Sequence, residues 1–124
     1  MAIVATFSNG ETDTYKGHRD VKAAWAIINP TTGTILNSGH SLDRARAEKT
    51  AANNVKYTGI KPTGFAKGAA TVPSRLYAHM IPYMARQCKE RDLPGKNAMR
   101  ELKAYNAAYY AAQRALVRIE VVDL

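Results

Sequence analysis

Short alternations of apolar and polar residues fill the first third of the chain, and helical spacing takes over near residue 41. Residues 2–8 and 12–16 flank Asn9-Gly10, a pair suited to the positive φ values of a tight hairpin turn. Lys16-Gly17-His18-Arg19-Asp20 makes a polar connection to a third strand, Val21 to Ile28. Period-2 alternation puts Val21, Ala23, Trp25 and Ile27 on one face of it. Asn29-Pro30-Thr31-Thr32-Gly33 is turn chemistry, and Thr34 to Asn37 pairs back as a fourth strand. The pattern predicts an antiparallel meander of three or four strands.

Ser41 reads as a helix N-cap, with Asp43 favoured in the first turn by the helix dipole. That helix runs to about Val55, and Ala47, Ala51 and Val55 make a small-residue face able to lie close on a sheet. Residues 56–73 are broken by Gly59, Pro62, Gly64, Gly68 and Pro73 into a long loop, of the kind that is functional or mobile. Ser74 caps a second helix striped by Leu76, Met80, Met84 and Cys88, which Pro82 kinks or splits. Asp92-Leu93-Pro94-Gly95 ends it. A third helix starts near Lys96, with Ala98, Leu102, Tyr105, Tyr109, Ala112 and Leu116 in an apolar seam of coiled-coil type that predicts self-association. Residues 116–122 alternate and read either as a last strand or as helix continuation. The expectation is a single α+β domain over 1–124: a small antiparallel sheet, an N-terminal meander with a possible C-terminal strand, packed with two to three helices.

Composition narrows the function classes. With 124 residues and 46% of them hydrophobic, the chain can bury a core without disulfides, and its one cysteine cannot form an internal bridge. No run approaches the length of a membrane span, and residues 1–7 lack the features of a signal peptide, which predicts a soluble cytoplasmic protein without membrane partners. Eighteen Lys+Arg against ten Asp+Glu give a net charge of +8, which favours a phosphate-bearing partner. The stretch from Lys49 to Lys89 holds no acidic residue.

Catalytic and metal chemistry find little support. His18, His40, His79 and Cys88 are scattered without metal-ligand spacing, and the acids show no general acid/base pairing. Residues 59–68 are glycine-rich and basic but lack the Gly-Lys-Ser/Thr ending of a P-loop; they read as a flexible loop or as one whose lysines and amides grip phosphate. No enzyme, metal or cofactor is expected. The anion-recognition candidates are Arg19 in the turn between two strands, Lys96-Asn97 at the start of the third helix, and Arg114 with Arg118, i,i+4 on that helix or aligned on the terminal strand and able to converge on one phosphate. Trp25 adds a ring able to pack in the core or stack on a base. Arg44, Arg46, Lys49, Lys61 and Lys67 form a second set, suited to nucleic acid. Tyr77, Tyr83, Tyr105, Tyr109 and Tyr110 exceed the needs of one small core and point to an interface.

Two resemblances add expectations. Trp25 to Ile28, Thr34 to Ser41 and Ala45…Ala51-Ala52 resemble the second half of a double-stranded-RNA-binding domain, although Asp43 and Glu48 stand where that family prefers lysines. Thr6 to Gly10, Tyr15-Lys16-Gly17, Ala24-Trp25, Ser38 to Ser41 and Ala47-Glu48-Lys49 resemble short proteins carried by bacteriophages. Among those, the anti-Thoeris sponges are similar in size and in placing a small sheet before helices. That resemblance implies an oligomer, acting in the bacterial host cytoplasm, that sequesters a cyclic ADP-ribose signal without hydrolysing it. The leading expectation is therefore non-catalytic binding and sequestration of a phosphate-bearing nucleotide signal, in a counter-defence role. The alternatives are an RNA- or DNA-binding module and a protein inhibitor of a host enzyme.

Overall fold

The computed structural model describes residues 2–124, which form an α+β protein with a two-stranded and a three-stranded antiparallel sheet and three α-helices. They divide into two compact units, residues 2–60 with 114–124, and residues 61–113.

In the first unit, β1 (Ile3–Thr6) and β2 (Thr12–Tyr15) form a hairpin. Its turn has Gly10 N–H donating to Phe7 O at 2.9 Å and Phe7 N–H donating to Glu11 O at 3.0 Å. Gly10 alone takes a positive φ there, 86°, which a side chain would strain. Asn9 reaches from the turn to Gly33 O at 2.8 Å, and Glu11 accepts from Ile35 N–H at 2.9 Å. These two side chains fasten the first hairpin to the second.

That second hairpin pairs β3 (Ala23–Ile28) with β4 (Ile35–Ser41), and β5 (Arg118–Asp123) lies on the other side of β3. The N-terminal strands are thus two hairpins in separate sheets, and within residues 116–122 the chain turns at Leu116 and Val117 before becoming strand at Arg118. All six residues of β3 are buried because the sheet is covered on both faces. Ala23, Trp25 and Ile27 pack on Ala47, Ala51 and Val55 of α1 (Arg44–Asn54) and the short 3-10 turn after it. Ala24, Ala26 and Ile28 pack on Ala5 and Phe7 from the first hairpin. Alternation along β3 therefore separates two apolar faces, not an apolar from a wet one.

The helix cap expected at Ser41 lies two residues later. Ser41 still belongs to β4, where it pairs with Ala23 and its carbonyl accepts from Lys22 N–H at 3.0 Å. Asp43 is the N-cap, accepting from Arg46 N–H at 2.8 Å. Arg44 meanwhile donates to Val121 O at 3.3 Å and pairs with Asp123 at 3.5 Å, occupying polar groups of the edge strand β5.

The second unit is helical. Pro82 falls in the first turn of α2 (Ile81–Glu90), where its missing N–H costs no helix bond, so it starts the helix instead of kinking it. A 3-10 turn, Ala78–Met80, leads in, and Ser74 and Leu76 lie outside the helix. α2 ends where Leu93 N–H donates to Cys88 O at 2.9 Å and Asp92 takes φ 58°. Met84 and Cys88 of α2 pack with Leu102 of α3 (Ala98–Ala115) and with Ala70.

The broken segment before α2 is well held. Tyr105 Oη both accepts from Lys67 N–H at 3.1 Å and donates to Lys67 O at 2.5 Å. Arg91 donates to Gly68 O at 2.9 Å and Ala69 O at 3.2 Å. Asn106 takes both backbone groups of Ala70, at 2.6 and 2.8 Å, and Gln87 both of Thr71, at 3.1 and 3.0 Å. Helix side chains thus replace the neighbouring strand that residues 67–71 lack. The same packing consumes the tyrosine seam: Leu102 is in the core, Tyr105 holds Lys67, and Phe65 meets Tyr105 and Tyr109 edge-on at 5.5 and 5.3 Å. Leu116, the last seam position, is 45% exposed after the helix has ended. Of the six seam positions, only Leu102 is fully buried; Ala98, Tyr105, Tyr109 and Ala112 are half-buried.

Cys88 gives a first prediction. Burial, reinforced by the Glu101 carboxylate and opposed by Arg91, pushes its thiol above the usual range. The fold favours the protonated thiol, so this contribution to stability is intact below about pH 8.5, where an unfolded thiol ionises, and is lost as pH rises further. Folded protein should resist a thiol-specific reagent at pH 7.5 and react rapidly in urea. Stability measured by urea titration at pH 7.5 and 10 should fall more for the wild type than for Cys88→Ala.

Candidate functional site

The connection between α2 and α3 shapes the site. Five residues, Leu93-Pro94-Gly95-Lys96-Asn97, follow the left-handed Asp92 and turn the chain into α3. Asn97 is the capping residue: its Oδ1 accepts from Arg100 N–H at 3.4 Å and its carbonyl from Glu101 N–H at 2.9 Å. Glu101 folds back so that its carboxylate accepts from Gly95 N–H at 2.7 Å and lies 4.0 Å from Cys88 Sγ. The turn is thereby clasped from its inner side, while Lys96 and Asn97 face a cavity on the other.

That cavity has a volume of about 270 Å³. Leu76, Ile81, Met84 and Ala85 form its apolar wall, and Gly95, Lys96, Asn97 and Ala98 close it at the start of α3. Leu76 and Ile81 are about half exposed, 51% and 53%, so the apolar wall opens to solvent. The first amides of a helix have no carbonyl four residues back, and the peptide dipoles place partial positive charge there. A hollow with an apolar side and a cationic, amide-bearing end suits a ligand with a flat apolar group and a phosphate. Lys96 is the only ionisable residue in the lining, so the hollow offers no nucleophile–base pair.

Charge is concentrated in the same unit. Residues 61–113 carry nine Lys or Arg against three Asp or Glu, whereas the remainder carries nine against seven. Of those three acids, Glu90 is paired with Lys67 at 3.1 Å and Arg91 at 3.7 Å, and Glu101 is engaged by Gly95.

Of the residues singled out in the sequence, Asn97 belongs to this site, and Lys96 beside it lines the cavity. The others lie elsewhere. Trp25 is 5% exposed, packed between β3 and α1 with its indole across Gly39, so its faces are closed to a base. Arg19 is exposed after β2, where its N–H donates to Tyr15 Oη at 3.2 Å. Arg114 ends α3 while Arg118 begins β5 and donates to Ser8 Oγ at 3.4 Å, so a single-helix i,i+4 pair is not formed. In the nucleic-acid set, Arg44 pairs with Glu48 at 3.3 Å and Asp123, and Arg46 with Asp43 at 3.5 Å. Lys67 pairs with Glu90 at 3.1 Å, and its amide donates to Tyr105 Oη. Lys49 and Lys61 are exposed, in different units.

Sequence reasoning pairs Lys96 with Asn97 but misses Leu76 and Ile81 as an open face. Leu76 and Met84 share a heptad-like stripe, and only the Pro82 signal for a helix start could have freed Leu76 from it. His40 was likewise unassigned: its side chain is 3% exposed, with Nδ1 3.4 Å from Asp13 Oδ2 and the ring against Tyr15. No helix of the described residues is long and apolar enough to cross a membrane, and no group of three or more potential metal ligands occurs among them.

Comparison with protein-family models, with curated proteins and with solved structures finds no match to this chain.

Proposed function

We propose that residues 61–113 bind a phosphate-bearing nucleotide without chemical change to it. The observation that carries this reading is the meeting of an apolar hollow with Lys96 and the capped start of α3. The base packs on Ile81, Leu76 and Met84, and the phosphate takes Lys96 and the first amides of the helix. The surplus of cations in this unit raises the local concentration of such an anion. Holding a nucleotide signal unaltered amounts to sequestration, the counter-defence role implied by the likeness to anti-Thoeris sponges.

Titration calorimetry of the full chain with adenine and guanine mononucleotides and with inorganic phosphate tests this. A nucleotide should bind more tightly than phosphate alone and be recovered intact after denaturation. Lys96→Gln should weaken binding about tenfold, the worth of a charge-assisted contact of about 1.5 kcal/mol. Ile81→Glu, at an exposed position, should abolish it without unfolding the helix. Equal affinities for nucleotide and phosphate, or wild-type affinity in both variants, would remove the reading.

A further inference from the structure

We infer that the exposed cations and rings of the segment from Arg75 to Lys89, which runs through the 3-10 turn and α2, form a stacking platform for single-stranded nucleic acid. It shares this segment with the cavity wall but uses other side chains: Leu76, Ile81, Met84 and Ala85 line the cavity, whereas Arg75, Tyr77, Tyr83, Arg86 and Lys89 do not. From Arg75 to Lys89 the chain contains Arg75, Arg86 and Lys89 and no acid. None of these three cations is in an ion pair described for this unit, in contrast to Lys67 and Arg91.

The rings along this segment face water. Tyr77 is 52% exposed and Tyr83 39% exposed, while Tyr105 and Tyr109 of the same unit are packed against Phe65. Tyr77 lies nearly parallel to His79, at 11° with centroids 5.8 Å apart, and Arg86 sits 5.8 Å from the centre of the Tyr83 ring. A guanidinium over one ring and a second ring pair already stacked are the arrangements in which a nucleobase replaces or extends a π-face.

Charge complementarity selects the occupant. An acidic protein would use the cations and pack on the rings from any side, whereas the imidazole lying parallel to Tyr77 and the guanidinium over Tyr83 mark flat stacking, the contact that a nucleobase extends. Duplex nucleic acid would use the cations alone, since its bases are already stacked on each other. A single strand supplies phosphates and free base faces together, at the spacing of successive nucleotides. Its phosphates meet Arg75, Arg86 and Lys89 while bases stack on Tyr77 and Tyr83.

The test is fluorescence anisotropy of labelled twelve-residue oligothymidine, oligouridine and a duplex of the same length, with the full chain at two salt concentrations. Single strands should bind more tightly than duplex, and binding should weaken with salt. Tyr77→Ala and Tyr83→Ala, both at exposed positions, should each reduce single-strand affinity about fivefold or more. Arg86→Gln should reduce the slope of log affinity against log salt by about 0.7. Circular dichroism of each variant should remain that of the wild type; a variant that loses it is replaced by Tyr→Leu at the same position, which keeps bulk and removes the aromatic face. Absence of single-strand binding, duplex bound as tightly as single strand, or folded ring variants that bind like the wild type would overturn the inference. Lys96→Gln should leave oligonucleotide binding within about twofold, which keeps this result distinct from the fate of the nucleotide cavity.

Discussion

Arg91→Ala should destabilise the second unit by about 3–4 kcal/mol and loosen residues 67–71, an effect large among single substitutions. Arg91 is 7% exposed, and its guanidinium donates to three carbonyls: Gly68 O and Ala69 O in the loop, and Gln87 O at 2.9 Å in the helix that Arg91 caps. Removing it leaves loop carbonyls without a donor and takes the cation from its place 5.7 Å from the centre of the Tyr105 ring. Arg91→Lys keeps the charge but not the planar fork, so it should recover only part of the loss. Urea unfolding measures the stability, and the rate of tryptic cleavage after Lys67 reports the loop directly. Wild-type values of both in Arg91→Ala would show that Tyr105, Asn106 and Gln87 suffice to hold the segment.

Gly39→Ala should cost the first unit about 2–3 kcal/mol, through overpacking of its core. Gly39 stands opposite Trp25 in the β3–β4 ladder, and a Cβ built on it would lie 2.7 Å from the indole Cζ2. The indole cannot yield easily, because Ala47, Ala51 and Ile27 enclose it. Trp25 is the only tryptophan, so its emission reports this unit alone. The variant should show a lower unfolding midpoint and a red-shifted native emission. An unchanged spectrum with unchanged stability would mean that β4 shifts to admit the methyl at no cost.

Local chemistry made much of the first unit legible. The Asn9-Gly10 turn, the apolar run of β3 and the alanine face of α1 each depend on residues near one another in the chain. The Ser41 cap was misplaced because the ladder to Ala23 prolonged β4, a contact 18 residues away in sequence. The loop at 56–73 illustrates the same limit more strongly. Its glycines and prolines signal a lack of regular structure, yet Asn106, Gln87 and Arg91, on and at the end of the helices that follow it, supply its hydrogen bonds. Long polar side chains reveal their partners only once the helices are placed.

The candidate site divides in the same way. Asn97 was visible because a helix cap is a local event. Arg114 and Arg118 were joined by spacing, and the change from α3 to β5 between them undid that geometry. Trp25 had two readings, and burial chose the core.

By itself the sequence determined the α+β class, the strand-forming and helix-forming stretches, and the cationic surplus, since these follow from short-range propensity, periodicity and simple charge. The separation into two units, the covering of β3 on both faces and the union of Lys96 with Leu76 and Ile81 around one hollow came from folding alone. Each joins residues distant in the chain, through packing and hydrogen bonds whose partners no local pattern specifies.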